Sequence, residues 1–227
     1  MNLRYHLIMR AVIFDMDGVI LDSELHWKTT EGYFLQSLVP TWNSSDQDKI
    51  IGLGVQDLYT RLINEYGLNI TKEQFLALYQ EMANDIYGQK SSLIRGFTEL
   101  LSILNKNNIP VALASSSPRS WINIMLNRFN LHASFQAVVS ADELEGKGKP
   151  SPAIYLHTAK RLGRDPKKCI AIEDSKNGVL SAKNAGMFCI GLRNGFNNEQ
   201  DLSKADMIIS NFKELDWQTL QQLLTAL

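Results

Sequence analysis

Arg10-Ala-Val-Ile-Phe-Asp15-Met-Asp17-Gly18-Val-Ile-Leu-Asp22-Ser-Glu24 is the stretch on which the fold turns. Ala11 to Phe14 is an unbroken apolar run that stops at two aspartates separated by one residue, with a glycine after them. A short run without polar alternation reads as a strand buried on both faces, as in parallel sheets. Such sheets carry their chemistry just outside the carboxyl ends of the strands. Two carboxylates there, with Gly18 to let the backbone turn away, suit a metal-assisted reaction. Asp-x-Asp-Gly also occurs in ordinary turns and in calcium loops, so the rest of the chain has to decide.

Downstream, apolar strands are predicted at Pro110–Ala114, Phe135–Val139, Cys169–Ile172, Phe188–Leu192 and Met207–Ile209. Helical patterns separate them, which predicts a parallel sheet covered by helices. Ser117-Pro118 is read as the N-cap and first-turn proline of one helix, and Asp216 as the cap of the last. Residues 15 to 109 lie between the first strand and the second, whereas a crossover needs only a dozen or so residues. That interval reads as helices: Leu25–Leu38, Val55–Tyr66 closed by Gly67, and a third to about Tyr87 behind a Thr71/Gln74 capping box. No strand signal appears between Asp22 and Ser91. The expected architecture is therefore α/β: a Rossmann-like parallel-sheet core from residues 1–22 and 92–227, with an inserted all-helical cap domain from 23–91. The insert leaves the sheet one turn after the aspartates, which would place it over the reaction centre.

Composition narrows the function classes. The chain has 227 residues, 44% of them hydrophobic, and a formal charge of −1. It is long enough for a sizeable core. Near-neutral charge argues against a nucleic-acid or membrane-surface protein. No apolar run reaches the roughly 20 residues of a membrane span. The opening nine residues are too short and interrupted for a signal peptide, and Met9 would serve as a start as well as Met1. Cys169 and Cys189 each lie in an apolar run and read as buried, reduced thiols of a cytoplasmic protein. A monomer is expected.

Four strand ends supply polar groups: Asp15 and Asp17, Ser115 and Ser116, Lys149 in the loop after the third strand, and Glu173 with Asp174. Each has an ordinary reading, as a turn hydroxyl, a solvated lysine or a helix-start charge pair. At one edge of one sheet they supply acids for a cation, donors for an anion and an ammonium for phosphate.

In this order the motifs resemble the haloacid dehalogenase-like hydrolase superfamily across nearly the whole chain. Phe14-Asp15-Met-Asp17-Gly18 is similar to its first motif and Ala112-Leu-Ala114-Ser115-Ser116 to its second. Gly148-Lys149-Pro150 is similar to the third and Ile172-Glu173-Asp174-Ser175 to the fourth. The helical insert resembles the cap of the subgroup holding β-phosphoglucomutase and small sugar-phosphate phosphatases. The resemblance implies that Asp15 is a nucleophile, ionised without help from a base. It implies Mg²⁺ held by Asp15, the Asp17 carbonyl and Asp174, with Glu173 in the outer shell. Ser115, the Ser116 N–H and Lys149 would hold the phosphoryl oxygens, aided by the helix start after Ser117. Asp17 would be the general acid and base.

An acid at position 17 argues against a dehalogenase, which lacks one there, and against an ion-pumping ATPase, which carries threonine. The full set of core groups argues against a non-catalytic regulator. Between phosphatase and mutase the cap decides. Mutases of this subgroup place an arginine after a Gly-x-Ser-like turn; here Gly52-Leu-Gly54 is followed by Val55, with Arg61 the nearest candidate. The expected activity is a phosphatase on a small phosphorylated metabolite, a sugar phosphate, with a phosphosugar mutase as the alternative. Glu24, His26 and Trp27 at the cap entrance are candidates for substrate contact or for hinge and core roles.

Overall fold

A computed structural model describes residues 10–43, 45–46, 50, 54–144 and 148–226. The alternative starts at Met1 and Met9, and Gly52 and Leu53 of the expected cap turn, lie outside these residues. The described chain divides into two compact units, one built from the residues up to Asp22 and from Ser92 onward, the other from Ser23–Ser91.

The first unit is a six-stranded, wholly parallel sheet. Its strands are β1 (Ala11–Phe14), β2 (Val111–Ser115), β3 (Ala137–Ser140), β4 (Cys169–Glu173), β5 (Phe188–Leu192) and β6 (Met207–Ile209). Their order is β3-β2-β1-β4-β5-β6, so the direction of winding reverses between β1 and β4. Ligands of open α/β sheets bind at such a reversal, outside the carboxyl ends of the strands.

Side-chain size alternates along β2 and β4, Ala112 and Ala114 against Val111 and Leu113, Ala171 against Ile170 and Ile172. Ala11, Ala112, Ala114 and Ala171 face one side and are fully buried. Small side chains let α6 (Ala153–Arg161) and α7 (Lys176–Asn184) approach closely; α6 packs on β2 and β3, α7 on β4 and β5. Three steps along β1 from Ala11, the period of two puts Phe14 on the opposite face. Its ring meets Phe97, at the start of α4 (Phe97–Lys106), edge-on with centroids 5.4 Å apart, and Phe212 at 6.4 Å. Apolar cover on both faces is why β1 shows no polar alternation. The unit also holds α5 (Arg119–Arg128) and α8 (Trp217–Ala226), the latter capped as expected by Asp216, which accepts from Thr219 N at 2.8 Å. Among the described residues no helix is long and apolar enough to cross a membrane. Cys169 and Cys189 are buried and unpaired.

Where the chain leaves and re-enters this unit, its two crossings are pinned together. Asp22 N donates to Ser92 O at 3.1 Å, Ile94 N to Ile20 O at 2.8 Å, and the Asp22 carboxylate accepts from Ser92 N at 2.6 Å.

The second unit is helical: α1 (Ser23–Leu38), α2 (Val55–Tyr66) and α3 (Lys72–Asp85). Gly67 ends α2 at φ 66°, a left-handed conformation that glycine takes without a Cβ clash. The Thr71/Gln74 capping box is present in both directions. The α-helical turn stops at Asp85 rather than near Tyr87, and Ile86–Lys90 form a wider turn closed by Ser91 N donating to Ile86 O. Ile86 and Tyr87, at the start of this turn, are both buried. The core of this unit is aromatic. Tyr79 packs on Phe75 at 4.7 Å and Phe34 at 5.5 Å, and stacks near-parallel on Trp27 at 6.1 Å. Buried ring hydroxyls and indole N–H groups need partners: Trp27 Nε1 donates to Tyr87 OH at 2.9 Å, and Tyr79 OH donates to Glu31 at 2.9 Å.

Thr71→Ala removes one half of the capping box and should cost about 1 kcal/mol, read as a lower denaturant midpoint at unchanged slope. An unchanged midpoint would show that α3 is held by its aromatic face alone.

Candidate active site at the junction of β1 and β4

Parallel register sets Phe14 beside Ile172, so the residues that follow, Asp15 and Glu173, come side by side. Asp15 N donates to Ile172 O at 3.1 Å, which continues the ladder one step past β1. Glu173 is the last residue of β4, fully buried, and Asp174 follows at 5% exposure. Asp15, Glu173 and Asp174 each offer a carboxylate oxygen within 4.8 Å of the others. Like charges at this spacing are held only if something opposes them.

Lys149 opposes them. Its Nζ donates to Asp15 Oδ1 and to Glu173 Oε1, both at 2.6 Å, and its side chain is 8% exposed. Tyr155, on α6, donates its hydroxyl to the same Glu173 oxygen at 2.6 Å. The other Glu173 oxygen accepts from Asp174 N at 3.2 Å and Ser175 Oγ at 3.3 Å. Both oxygens of Glu173 are thereby committed to protein donors, which leaves Asp15 and Asp174 as the carboxylates of the cluster better suited to a cation.

The protonation balance follows. Burial pushes the Asp15 carboxyl up to about 8 from its ordinary 3.8; Lys149 pulls it down, and Glu173 and Asp17 push it further up. For Lys149, burial works against the ammonium, but Asp15 and Glu173 outweigh it and hold it above the usual lysine range. Burial, with the charges of Glu173 and Asp15, keeps the Tyr155 phenol protonated and therefore a donor. One ammonium thus bridges two of three crowded carboxylates, with Asp17 close enough to add to the field. A further cation with hard oxygen preference fits this donor set.

Two glycines make the packing possible. Gly18 sits at φ 74°, and a Cβ there would lie 2.0 Å from Asp174 Oδ2. A Cβ on Gly178, in the first turn of α7, would lie 1.9 Å from Glu173 Oε2.

On the other side, β2 ends at Ser115, which is buried, with Ser116 exposed beyond it. Ser115 Oγ accepts from Ser117 N at 3.0 Å. Ser117 does not cap α5, contrary to expectation. Pro118 occupies the N-cap position, and the first helical N–H, that of Arg119, is taken by Asp142 at 2.8 Å. The Ser117 hydroxyl donates instead to Asp17 Oδ2 at 2.7 Å. A serine preceding proline is steered out of helical conformation, which frees its side chain for this role. Asp17 offers no carboxylate to the Asp15–Glu173–Asp174 group.

The expected core residues Asp15, Lys149, Glu173 and Asp174 are therefore in one cluster, and Asp17 joins Ser117 beside Ser115. Glu24 lies exposed on the first turn of α1 in the helical unit. Trp27 belongs to the aromatic core of that unit, and Arg61 pairs with Glu65 at 3.0 Å. The sequence reading missed Tyr155, the bond from Ser117 to Asp17, and two asparagines. Asn194 Nδ2 donates to Gly18 O at 2.7 Å and Asp174 Oδ2 at 3.0 Å, and Asn197 Nδ2 donates to Asp174 O at 2.7 Å. The only sequence signal for Tyr155 is a polar tip on a buried helix face; Asn194 and Asn197 look like ordinary turn residues.

Residues 12–192 match the family model described as haloacid dehalogenase-like hydrolase. Hexitol phosphatase B of Escherichia coli K12 is 30% identical over 90% of this chain and 93% of its own length. β-Phosphoglucomutase of Bacillus subtilis is 30% identical over 94% of this chain and 95% of its own. Among solved structures, a HAD hydrolase, family IA, variant 3, from Entamoeba histolytica superposes with a TM-score of 0.79 at 25% identity, covering 96% of this chain and all (100%) of that one.

Glycine to alanine inside a helix ordinarily stabilises by roughly 1 kcal/mol. Gly178→Ala should reverse that sign and destabilise by about 1–3 kcal/mol, as overpacking does, because Glu173 is held on both oxygens and cannot withdraw. Equilibrium denaturation decides between the two signs. A second test concerns pH. The raised carboxyl of Asp15 costs the fold nothing below about pH 4, where folded and unfolded chains are both protonated. The cost grows as pH rises toward about 8 and is constant above. In chelator, the stability of Asp15→Asn relative to wild type should therefore rise between pH 4 and 8. A pH-independent difference would show that Asp15 ionises normally.

Proposed function

This chain belongs to the haloacid dehalogenase-like hydrolase family, and on that premise we propose that it is a Mg²⁺-dependent phosphatase of a small phosphorylated metabolite, a sugar phosphate. The observation that carries the reading is the buried group of Asp15, Glu173 and Asp174 with the Lys149 ammonium bonded to two of them. Asp15, the Asp17 carbonyl and Asp174 would hold the ion, with Glu173 behind them. Bound Mg²⁺ would offset the negative charge that keeps a carboxylate and a phosphate apart.

The chain's own groups then divide the work. Asp15 attacks phosphorus; the P–O bond to the sugar breaks as the Asp15–phosphorus bond forms, giving an aspartyl-phosphate. Asp17 gives its proton to the departing alkoxide oxygen. A water next attacks phosphorus, passing its proton back to Asp17, and the Asp15 carboxylate is released with phosphate. Ser115, the Ser116 N–H and Lys149 hold the equatorial oxygens, where charge is spread in the transition state. Lys149 is already seated on Asp15, so its charge needs little rearrangement to meet a phosphoryl group there. Ser117 keeps the Asp17 carboxyl oriented. The helical unit, read as a cap, would select the leaving group, with Glu24 as a candidate for substrate contact. We place the protein in the cytoplasm, where its two unpaired buried thiols stay reduced.

A phosphosugar mutase is the second reading, favoured by the 30% identity to a β-phosphoglucomutase. It shares the sheet chemistry and differs in whether the aspartyl-phosphate is returned to a sugar hydroxyl or passed to water.

Phosphate release should be measured across sugar phosphates, nucleotides and phospho-acids, in Mg²⁺ and in chelator. The expected result is selective, Mg²⁺-dependent release that Asp15→Asn abolishes. Release undiminished in Asp15→Asn would remove the nucleophile from this scheme. Isomer exchange primed by a sugar bisphosphate, without net phosphate release, would decide for the mutase.

A further inference from the structure

Asn194 lies just beyond the end of β5, outside all four motifs. Its amide joins the two loops that carry every group proposed to hold the ion.

The orientation of that amide is set by its surroundings. Oδ1 accepts from Phe196 N at 2.8 Å and from Asn197 N at 3.1 Å. Turning the amide over would aim its hydrogens at two N–H groups, so Nδ2 must point the other way. There both of its hydrogens are used. One meets the Gly18 carbonyl at 2.7 Å, one peptide beyond that of the Asp17 carbonyl; the other meets Asp174 Oδ2 at 3.0 Å. The same Asp174 oxygen lies where a Cβ on Gly18 would be, 2.0 Å away. The Asp174 carboxylate is thus laid against Gly18 and held there by Asn194.

The holder is itself rigid. Asn194 N donates to Asn197 Oδ1 at 3.2 Å. Asn197 Nδ2 donates to Asp174 O at 2.7 Å and Leu192 O at 2.8 Å, and the residue is 8% exposed. Arg193 Nη1 closes the loop through Asn197 O at 2.9 Å and Gln200 O at 2.8 Å. A donor fixed on this many sides orients a carboxylate before any ion arrives, so little ordering is left for the binding step.

We propose that Asn194 is a positioning residue for the metal site, fixing the Asp174 carboxylate against the loop that carries Asp15 and Asp17. The proposal rests on the Mg²⁺ reading above. It acts through ion affinity and not on the reacting atoms. Outer partners of metal ligands are typically worth 10–100-fold in affinity.

The test uses Mn²⁺ as probe, with free ion read by electron paramagnetic resonance, and Mg²⁺ measured by competition. In Asn194→Ala, the Mn²⁺ dissociation constant should rise by about 10–100-fold. The Mg²⁺ concentration for half-maximal activity should rise in step, while kcat at saturating Mg²⁺ returns toward wild type. A melting curve in chelator reports folding separately. A folded Asn194→Ala that binds Mn²⁺ as wild type does, whatever its melting temperature, overturns the proposal and leaves Asn194 a loop residue. Should Asn194→Ala not fold, Asn194→Ser carries the same two outcomes, since serine is tolerated in turns and lacks the bridging amide. Failure of the wild-type protein to bind Mn²⁺ or Mg²⁺ at all would overturn the metal reading, and the proposal with it.

Discussion

One ammonium shared by two buried carboxylates is the interaction the rest of the sheet unit is arranged around. Parallel pairing of β1 with β4 brings Asp15 and Glu173 together as a matter of register. Without Lys149 at 2.6 Å from both, that register would bury two like charges with nothing between them. The neighbouring elements then answer the same demand. α6 contributes a phenol that stays protonated, α7 contributes a glycine where any side chain would strike Glu173, and the turn after β1 contributes Gly18 where any side chain would strike Asp174. Local choices that look unrelated in the chain are consequences of one crowded point.

The loops on either side are stiffened in different ways. Beyond β2, Ser117 is tied through its N–H to Ser115, through its carbonyl to Ser140 Oγ at 2.8 Å, and through its hydroxyl to Asp17. The end of β2 is therefore stitched to β3 and to the β1 loop at once. Beyond β5, the Asn194–Asn197 loop does the same for the β1 loop and β4. A site meant to meet developing charge benefits from groups that do not have to reorganise. The helical unit has a core of packed rings, Trp27 stacked on Tyr79 and Phe34 edge-on to it, with the Trp27 N–H given to Tyr87 and the Tyr79 hydroxyl to Glu31.

Differences between the sequence reading and the structure are instructive at particular residues. Ser117-Pro118 has the composition of a helix start, and the helix does begin nearby. A hydroxyl can serve a helix N–H or a distant carboxylate, however, and only the arrival of Asp17 from residues far away in the chain decides which. Glu173 reads in sequence as a ligand or a helix-start charge, and its two oxygens turn out to be occupied by Lys149, Tyr155, Asp174 and Ser175. Tyr155 has the spacing of a core residue, which it is, and nothing along the chain announces that its hydroxyl reaches the active cluster. The wide turn at Ile86–Lys90 leaves no mark on a 3.6-residue pattern, which simply carries the helix on to Tyr87.

What the sequence by itself determined is everything that depends on local order. That includes the strand that stops at Asp15, the alternation of strands and helices after Pro110, the capping box at Thr71, the glycine stops, and the identity of the four polar strand ends. These follow from side-chain periodicity, turn stereochemistry and motifs a few residues long, each of which a short stretch of chain contains in full. Tertiary structure alone decided how those ends are paired. The order β3-β2-β1-β4-β5-β6 makes β1 and β4 neighbours and places the reversal between them. That adjacency gives Lys149 its two carboxylates, the pairing of β1 with β2 gives Asp17 its serine, and the pairing of β4 with β5 gives Asp174 its asparagine. Hydrogen bonds and charges act over a few ångströms of space, and separation along the chain does not encode distance in space.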